Sequence, residues 1–171
     1  MRRIKLFEQF FIDNNNILIY HGTWDESDAQ GIIYKGFDIN IKRSGSAEGA
    51  GMGAFFSPEK TLYGKYIVEF SIPLSVFSES IVIYTGDETV TKEPMELAMR
   101  VNGRIETLEE QVMRINGQVN LPVNQCPSWK WGVIDDLGDI KGWVTDTRFS
   151  GNMSIHLRDV SIAKAVRYFS K

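Results

Sequence analysis

The chain has 171 residues, 43% of them hydrophobic and 24% charged, which suits one domain with a core of its own. Its formal net charge of −3 excludes a general nucleic-acid binder, which would be basic overall, and leaves only a local basic patch open. One cysteine, Cys126, excludes an internal disulfide framework, and no apolar run reaches the roughly 18 residues a bilayer span needs. The opening Met1–Leu6 is basic, but Glu8 and Asp13 put charge into the stretch after it. It lacks the apolar core of a secretory signal, so a cytoplasmic protein is expected. Ile4, Leu6, Phe7, Phe10, Phe11 and Ile12 recur at helical spacing and predict a short amphipathic helix over residues 3–12. Asp13-Asn14-Asn15-Asn16 ends it, because short polar side chains favour turns. Ile17–Tyr20 reads as a buried strand that finishes at His21-Gly22-Thr23. A helix is expected over Ser27–Tyr34, with Ser27 as its N-cap and Gly36 just past its end.

Residues 44–53 hold four glycines and read as a flexible loop opening into a strand over Ala54–Ser57. Pro58–Tyr63 is expected as a helical turn, capped by Ser57 with Pro58 at its first position. Lys65–Phe77 reads as a strand, then a loop at Pro73, and Ile81–Tyr84 as another strand. Apolar residues mixed with charge over 88–117 predict one or two helices with a break near Asn102-Gly103, followed by a loop with Pro122 and Pro127. Trp129–Asp135, Lys141–Thr145 and Ser154–Val160 are strand candidates, and Ile162–Phe169 is a strand or short helix. The sum is a single α+β domain of many short strands spanning residues 1–171, with a helical insertion at about 88–130.

Several chemistries find no support. The 44–53 loop lacks the Gly-Lys-Ser/Thr ending of a P-loop, and its glycines do not match a dinucleotide fingerprint. His21, Cys126 and His156 lie too far apart in sequence for a paired metal-ligand spacing, so no metal is expected. No Gly-x-Ser-x-Gly elbow is present.

One ordered set of motifs is specific. Ile19-Tyr20-His21-Gly22-Thr23 is followed by Gly31-Ile32-Ile33-Tyr34-Lys35-Gly36-Phe37, then Gly53-Ala54-Phe55-Phe56-Ser57, Tyr63-Gly64 and Tyr66-Ile67-Val68-Glu69-Phe70. This order resembles the diphtheria-toxin and poly(ADP-ribose) polymerase branch of the ADP-ribosyltransferases. The match covers residues 17–77 well and 138–166 loosely, through Gly142-Trp143-Val144 and Ser154–Asp159. The resemblance implies a split β-sandwich of short, mostly antiparallel strands with flanking helices. It also implies an NAD-dependent mono-ADP-ribosyltransferase that moves ADP-ribose to a protein or nucleic-acid acceptor and releases nicotinamide. Short members of this kind occur as toxins, effectors and bacteriophage proteins that modify host machinery.

Residue by residue, the resemblance gives the main chain of Gly22 the nicotinamide carboxamide and the His21 side chain the adenine-side ribose hydroxyl. Thr23 adds a hydroxyl contact. Phe55 or Tyr63 stacks on the nicotinamide, since a π face suits a flat heteroaromatic cation. Ser57 lies near the carboxamide, and Gly53 and the loop before it border the pocket. Catalysis rests on His21, Phe55 and the third-motif position. There the family carries a glutamate, and aligning Asp159 with the family's late aspartate puts Ser154 in its place. Asp146 or Glu48 from a loop would restore an acid. Without one, a weak transferase or an inactive module binding NAD or ADP-ribose is the alternative. An RNA 2′-phosphotransferase is a further one, disfavoured because no multi-arginine phosphate cluster is evident. An interaction protein with accidental motifs would bind no NAD. His156 reads as a polar residue on the face of its strand. The 88–130 segment, with exposed-looking Trp129 and Trp131, is the candidate acceptor contact or else packs on the sheet.

Overall fold

Alternation along residues 16–23 sets up the first sheet. Ile17 and Ile19 are fully buried, and the strand they form, β2 (Asn16–Thr23), pairs antiparallel with β4 (Tyr66–Pro73) in an unbroken register from Asn16↔Pro73 to Thr23↔Tyr66. The computed structural model describes residues 12–13, 15–38, 53–60, 63–85, 92–119, 128–146 and 153–171. Ile12–Asp13 (β1) flanks β2 through a tight turn at Asn15, whose φ of 64° is the left-handed conformation that asparagine tolerates. The helix expected over residues 3–12 otherwise lies outside the described residues, as do Cys126, Pro122 and Pro127.

Two four-stranded sheets result, ordered β1-β2-β4-β8 and β3-β7-β6-β5. Their remaining members are β3 (Ala54–Phe56), β5 (Ile81–Ile83), β6 (Gly142–Asp146), β7 (Met153–Leu157) and β8 (Lys164–Ser170). All pairings are antiparallel except β5 with β6. The α+β class and the mostly antiparallel short strands therefore match expectation. The sheets close on one another over a shared core: Ile17, Ile19, Val68, Phe70 and Ile72 from the first meet Ala54, Phe56, Val144, Ile155 and Leu157 from the second. Each fully buried aliphatic side chain of this kind contributes about 1.5–3 kcal/mol.

The first helix, α1 (Glu26–Lys35), buries Ala29 and packs on β4 and β8. It begins one residue before Ser27, and the N-cap position is Asp25, which makes no side-chain cap. Glu26 and Asp28 in the first turn answer the helix dipole instead. Gly36 ends it, as expected, at a φ of 84°.

The strand expected over 65–77 stops at Pro73. Proline has no N–H to continue a ladder, and Leu74–Ser80 turns into helix α2, which buries Phe77. Residues 58–60 make a bend and turn, not a helix, and the Ser57 hydroxyl accepts from the Glu59 N–H at 3.0 Å across it. The 88–117 segment gives α3 (Lys92–Asn102) and α4 (Leu108–Asn116), broken as expected at Gly103, whose φ is 72°. Thr107 and Glu110 form a reciprocal capping box at the start of α4.

Trp129–Asp135 is not a strand. Ser128–Val133 winds into a 3-10 helix that delivers Trp131, fully buried, into a second core with Val82, Tyr84, Val112, Leu137, Ile140 and Trp143. Packing thus overturns the exposed reading of Trp131; the Trp129 side chain lies outside the described residues. The second core covers the outer face of β5 and β6. Gln111 of α4, also buried, completes the β5 edge. Its amide donates to the Ile83 carbonyl and accepts from the Ile83 N–H, both at 2.7 Å. Beneath it Glu106, 1% exposed, receives bidentate hydrogen bonds from Arg114 and another from Arg104. These guanidinium bonds hold its carboxyl below the ordinary value of 4.5.

Candidate functional site

The two sheets touch and then separate at one point, and the strand registers define it. Tyr20 and Ser57 exchange main-chain bonds of 2.8 Å in both directions, on the side of β2 away from β4. In an antiparallel ladder the residues that face a given neighbour alternate, so Gly22 turns its N–H and C=O to the same side as Tyr20. If the β2–β3 pairing ran on, Phe55 would oppose Gly22. Among the described residues, however, Tyr20↔Ser57 is an isolated bridge, and β3 makes its ladder on its other edge, with β7.

His21 directly follows the bridged Tyr20. Its side chain leaves the core face of β2, and its Nδ1 lies 2.8 Å from the Phe55 carbonyl oxygen. That oxygen can only accept, so Nδ1 carries the proton, and in the neutral ring Nε2 is the acceptor. The imidazole thus occupies the carbonyl that a continued ladder would have given to Gly22. Phe37 meets the imidazole edge-on at 4.7 Å and Phe56 lies at 5.7 Å, which fixes the ring plane.

The floor of the opening is main chain at van der Waals limits. A Cβ on Gly22 would stand 1.8 Å from the Tyr63 carbonyl oxygen, and one on Gly64, at φ 83°, would stand 2.6 Å from the Thr23 nitrogen. Gly22 is therefore required by the 63–64 turn, whereas the resemblance explains it by ligand approach alone. Gly53, at φ 105°, lies against the Leu157 carbonyl in the same way. Phe55 (38% exposed) and Tyr63 (71% exposed) are the exposed aromatic residues of these segments. Thr23 is buried, and its hydroxyl donates to the Asp25 carbonyl at 3.1 Å, tying the strand end to the start of α1.

Ser154 is half-buried on β7 opposite Thr145 of β6. Extending the β3–β7 register by one residue brings Ser57 to its other side. Its strand neighbours are thus hydroxyl residues, not acids. Glu48 lies outside the described residues, and of Asp146 only the main chain, paired with Met153, is described. Asp159 caps the short turn after β7: its carboxylate accepts from the Ser161 hydroxyl and N–H and pairs with Lys141 at 3.5 Å. The Ser161 hydroxyl bond, more than any other contact, lowers its pKa.

His156 is not a polar face residue. It is buried, stacked on Trp143 at 4.3 Å and met edge-on by Phe55 at 4.6 Å, so an aromatic row runs from the opening to Trp131. Sequence reasoning also missed Glu69. This buried carboxylate lies beside Tyr20 and takes both arms of Arg167. Burial first, and then Glu69, pushes the Tyr20 hydroxyl up to about 12. A charged residue inside Ile67-Val68-Glu69-Phe70 was the available signal, since carboxylates are buried when paired.

The structure therefore joins His21, Gly22, Phe55, Ser57 and Tyr63 through the Tyr20–Ser57 bridge, the His21–Phe55 bond and the Gly22–Tyr63 packing, places Ser154 on the adjoining strand, and gives Thr23 and Gly53 structural work nearby. Gly22 offers a donor and an acceptor side by side, the pattern a planar carboxamide complements. Among the described residues no group of three or more His, Cys, Asp or Glu side chains could hold a metal ion, and no helix is long and apolar enough to cross a membrane. Comparison of the chain with family models, with curated proteins and with solved structures finds no match.

Proposed function

We propose that the chain has the ADP-ribosyltransferase type of split sandwich and acts as an NAD-dependent mono-ADP-ribosyltransferase at the Gly22 opening. One observation carries the reading: the His21 side chain bonds the Phe55 carbonyl that a continued β2–β3 ladder would have given to Gly22, whose main chain lies against that of Tyr63. The nicotinamide carboxamide pairs with Gly22 there, and its ring lies against the aromatic side chains. The C–N bond to ribose C1′ then breaks, and nicotinamide leaves with the electron pair. A nucleophilic atom of the acceptor bonds to C1′ and gives up its proton. Holding the nicotinamide and the ribose in one orientation supplies the entropic part of the acceleration. The oxocarbenium-like transition state needs negative or dipolar groups nearby.

His21→Ala and Phe55→Ala are expected to weaken NAD binding about tenfold or more by calorimetry, on the scale of one buried hydrogen bond or one aromatic contact. Unchanged affinity in both, with intact folding, would refute the site. A labelled-NAD assay in lysate, with free nicotinamide followed in parallel, tests transfer itself.

The hydroxyl surroundings of Ser154 favour a second reading, a module that binds NAD or ADP-ribose without reacting. The two separate on Ser154→Glu, which supplies a carboxylate at the third-motif position. If Ser154 occupies the position of the acid, nicotinamide release rises at least tenfold over the parent chain. No rise would place the acid elsewhere or break the register. The RNA 2′-phosphotransferase reading loses ground, because Arg104, Arg114, Arg158 and Arg167 are each held by Glu106, Glu69 or the carbonyls of residues 134–135.

A further inference from the structure

We infer that His156 is a positioning residue: its buried ring fixes the ring of Phe55, one of the two aromatic side chains the proposed site sets against nicotinamide. The contact stands on its own observations; its purpose rests on the transferase reading. The chain has two histidines, and both bear on Phe55. His21 bonds the Phe55 carbonyl, and the His156 ring meets the Phe55 ring at 4.6 Å and 80°.

The strand registers dictate this meeting. Phe55 of β3 lies opposite His156 of β7, and His156 lies opposite Trp143 of β6. Residues opposite one another in antiparallel strands share a face, so the three side chains form one cross-strand row. The row is on the outer face of the second sheet, because the flanking residues Ala54, Phe56, Val144, Ile155 and Leu157 take the inner one.

Its three members are not held alike. Trp143 is 3% exposed and belongs to the second core, with the Trp131 ring 6.3 Å beyond it. His156 is 1% exposed and lies flat on Trp143, the planes 13° apart and the centres 4.3 Å. Phe55 ends the row at 38% exposure, so burial alone does not fix its ring. Contact with a flat ring that is itself packed in place does. The orientation of Phe55 is thereby set from the second core, through His156. An aliphatic side chain at 156 would fill the volume and offer Phe55 no plane to meet. For the proposed site the gain is entropic: a stacking ring already oriented need not be ordered by the ligand.

The test introduces 4-fluorophenylalanine at residue 55 and compares its fluorine resonance in light and heavy water, a difference that reports how far the ring is exposed. NAD binding is measured by calorimetry on the same variants without the label. His156→Leu keeps apolar volume and removes the plane; His156→Phe restores a plane. In His156→Leu the Phe55 ring should become more exposed, and NAD affinity should fall about threefold to tenfold, the scale of one aromatic contact. His156→Phe should return both toward the parent. In a Phe55→Ala background His156→Leu should weaken NAD binding no further, because it acts through Phe55. If His156→Leu fails to fold, His156→Met, whose side chain adapts to irregular space, takes its place in the same readings. A histidine that only supports the fold would lower the melting temperature and leave fluorine exposure and NAD affinity unchanged in the folded protein. That result overturns the inference, as does an equal loss of NAD affinity with and without Phe55. If NAD does not bind the parent chain, the proposed site fails by itself, and the fluorine reading still decides whether His156 fixes Phe55.

Discussion

Gly22→Ala should abolish NAD binding and lower stability by about 3 kcal/mol, the upper range for forcing extra volume into a packed site. The added Cβ would stand 1.8 Å from the Tyr63 carbonyl oxygen and 2.5 Å from its carbon. Both are main-chain atoms that no rotamer change can move aside. Relief requires displacing the 63–64 turn, yet Gly64 itself lies so close to the Thr23 main chain that a Cβ on it would stand 2.5 Å and 2.6 Å from the Thr23 oxygen and nitrogen. Tyr63 would leave its place beside the opening, and the carboxamide would lose its partner and its aromatic neighbour together. Gly31→Ala is the control. It lies in α1 with nothing within 4 Å of its Cβ position, so alanine there should stabilise by about 0.5–1 kcal/mol. Urea melts and calorimetry on the two variants read both effects. Full NAD affinity in Gly22→Ala would show that the 63–64 turn does not shape the site.

The second large effect is expected at Glu106. Glu106→Ala removes the carboxylate that holds Arg114 and Arg104 and should destabilise by about 2 kcal/mol, since charge-assisted bonds are lost but both guanidinium groups retain access to water. The depressed carboxyl sets the pH dependence. Its contribution is complete above the ordinary value of 4.5 and disappears as pH falls through the lower folded value. The parent chain should therefore lose stability on acidification through this range, and Glu106→Gln should lose less. Denaturant melts between about pH 3 and 7 check it; parallel curves for the two proteins would show that Glu106 does not govern the acid response.

Much of this architecture is legible in the sequence because the relevant signals are local. Ile17 and Ile19 alternate, Gly36 and Gly103 end helices, and the Asn102-Gly103 break divides α3 from α4. What failed depended on distant partners. Trp131 in Ser128–Val133 looks exposed until Val82, Val112 and Trp143, from three other segments, surround it. Pro73 reads as a loop, but Phe77 has a core to enter, and the chain turns helical to place it there. The motif residues of the site can be named from the sequence; their arrangement cannot. His21 bonds a main-chain carbonyl 34 residues away, and a carbonyl leaves no trace in residue type. Gly22 stands out as a glycine, while the Tyr63 carbonyl that requires it does not.

The Gln111 amide on Ile83 has a consequence for how the protein fails. β5 is the last strand of its sheet, and its residues Ile81, Val82 and Ile83 are all buried. One side-chain amide on α4 stands where a further strand would bond. When α4 loosens, as Glu106→Ala would make it, an apolar strand edge is uncovered while the rest of the sheet persists. Such an edge recruits the same edge of another molecule. Damage to α4 should then be seen first as turbidity that rises with protein concentration, at temperatures where the isolated chain is still largely folded.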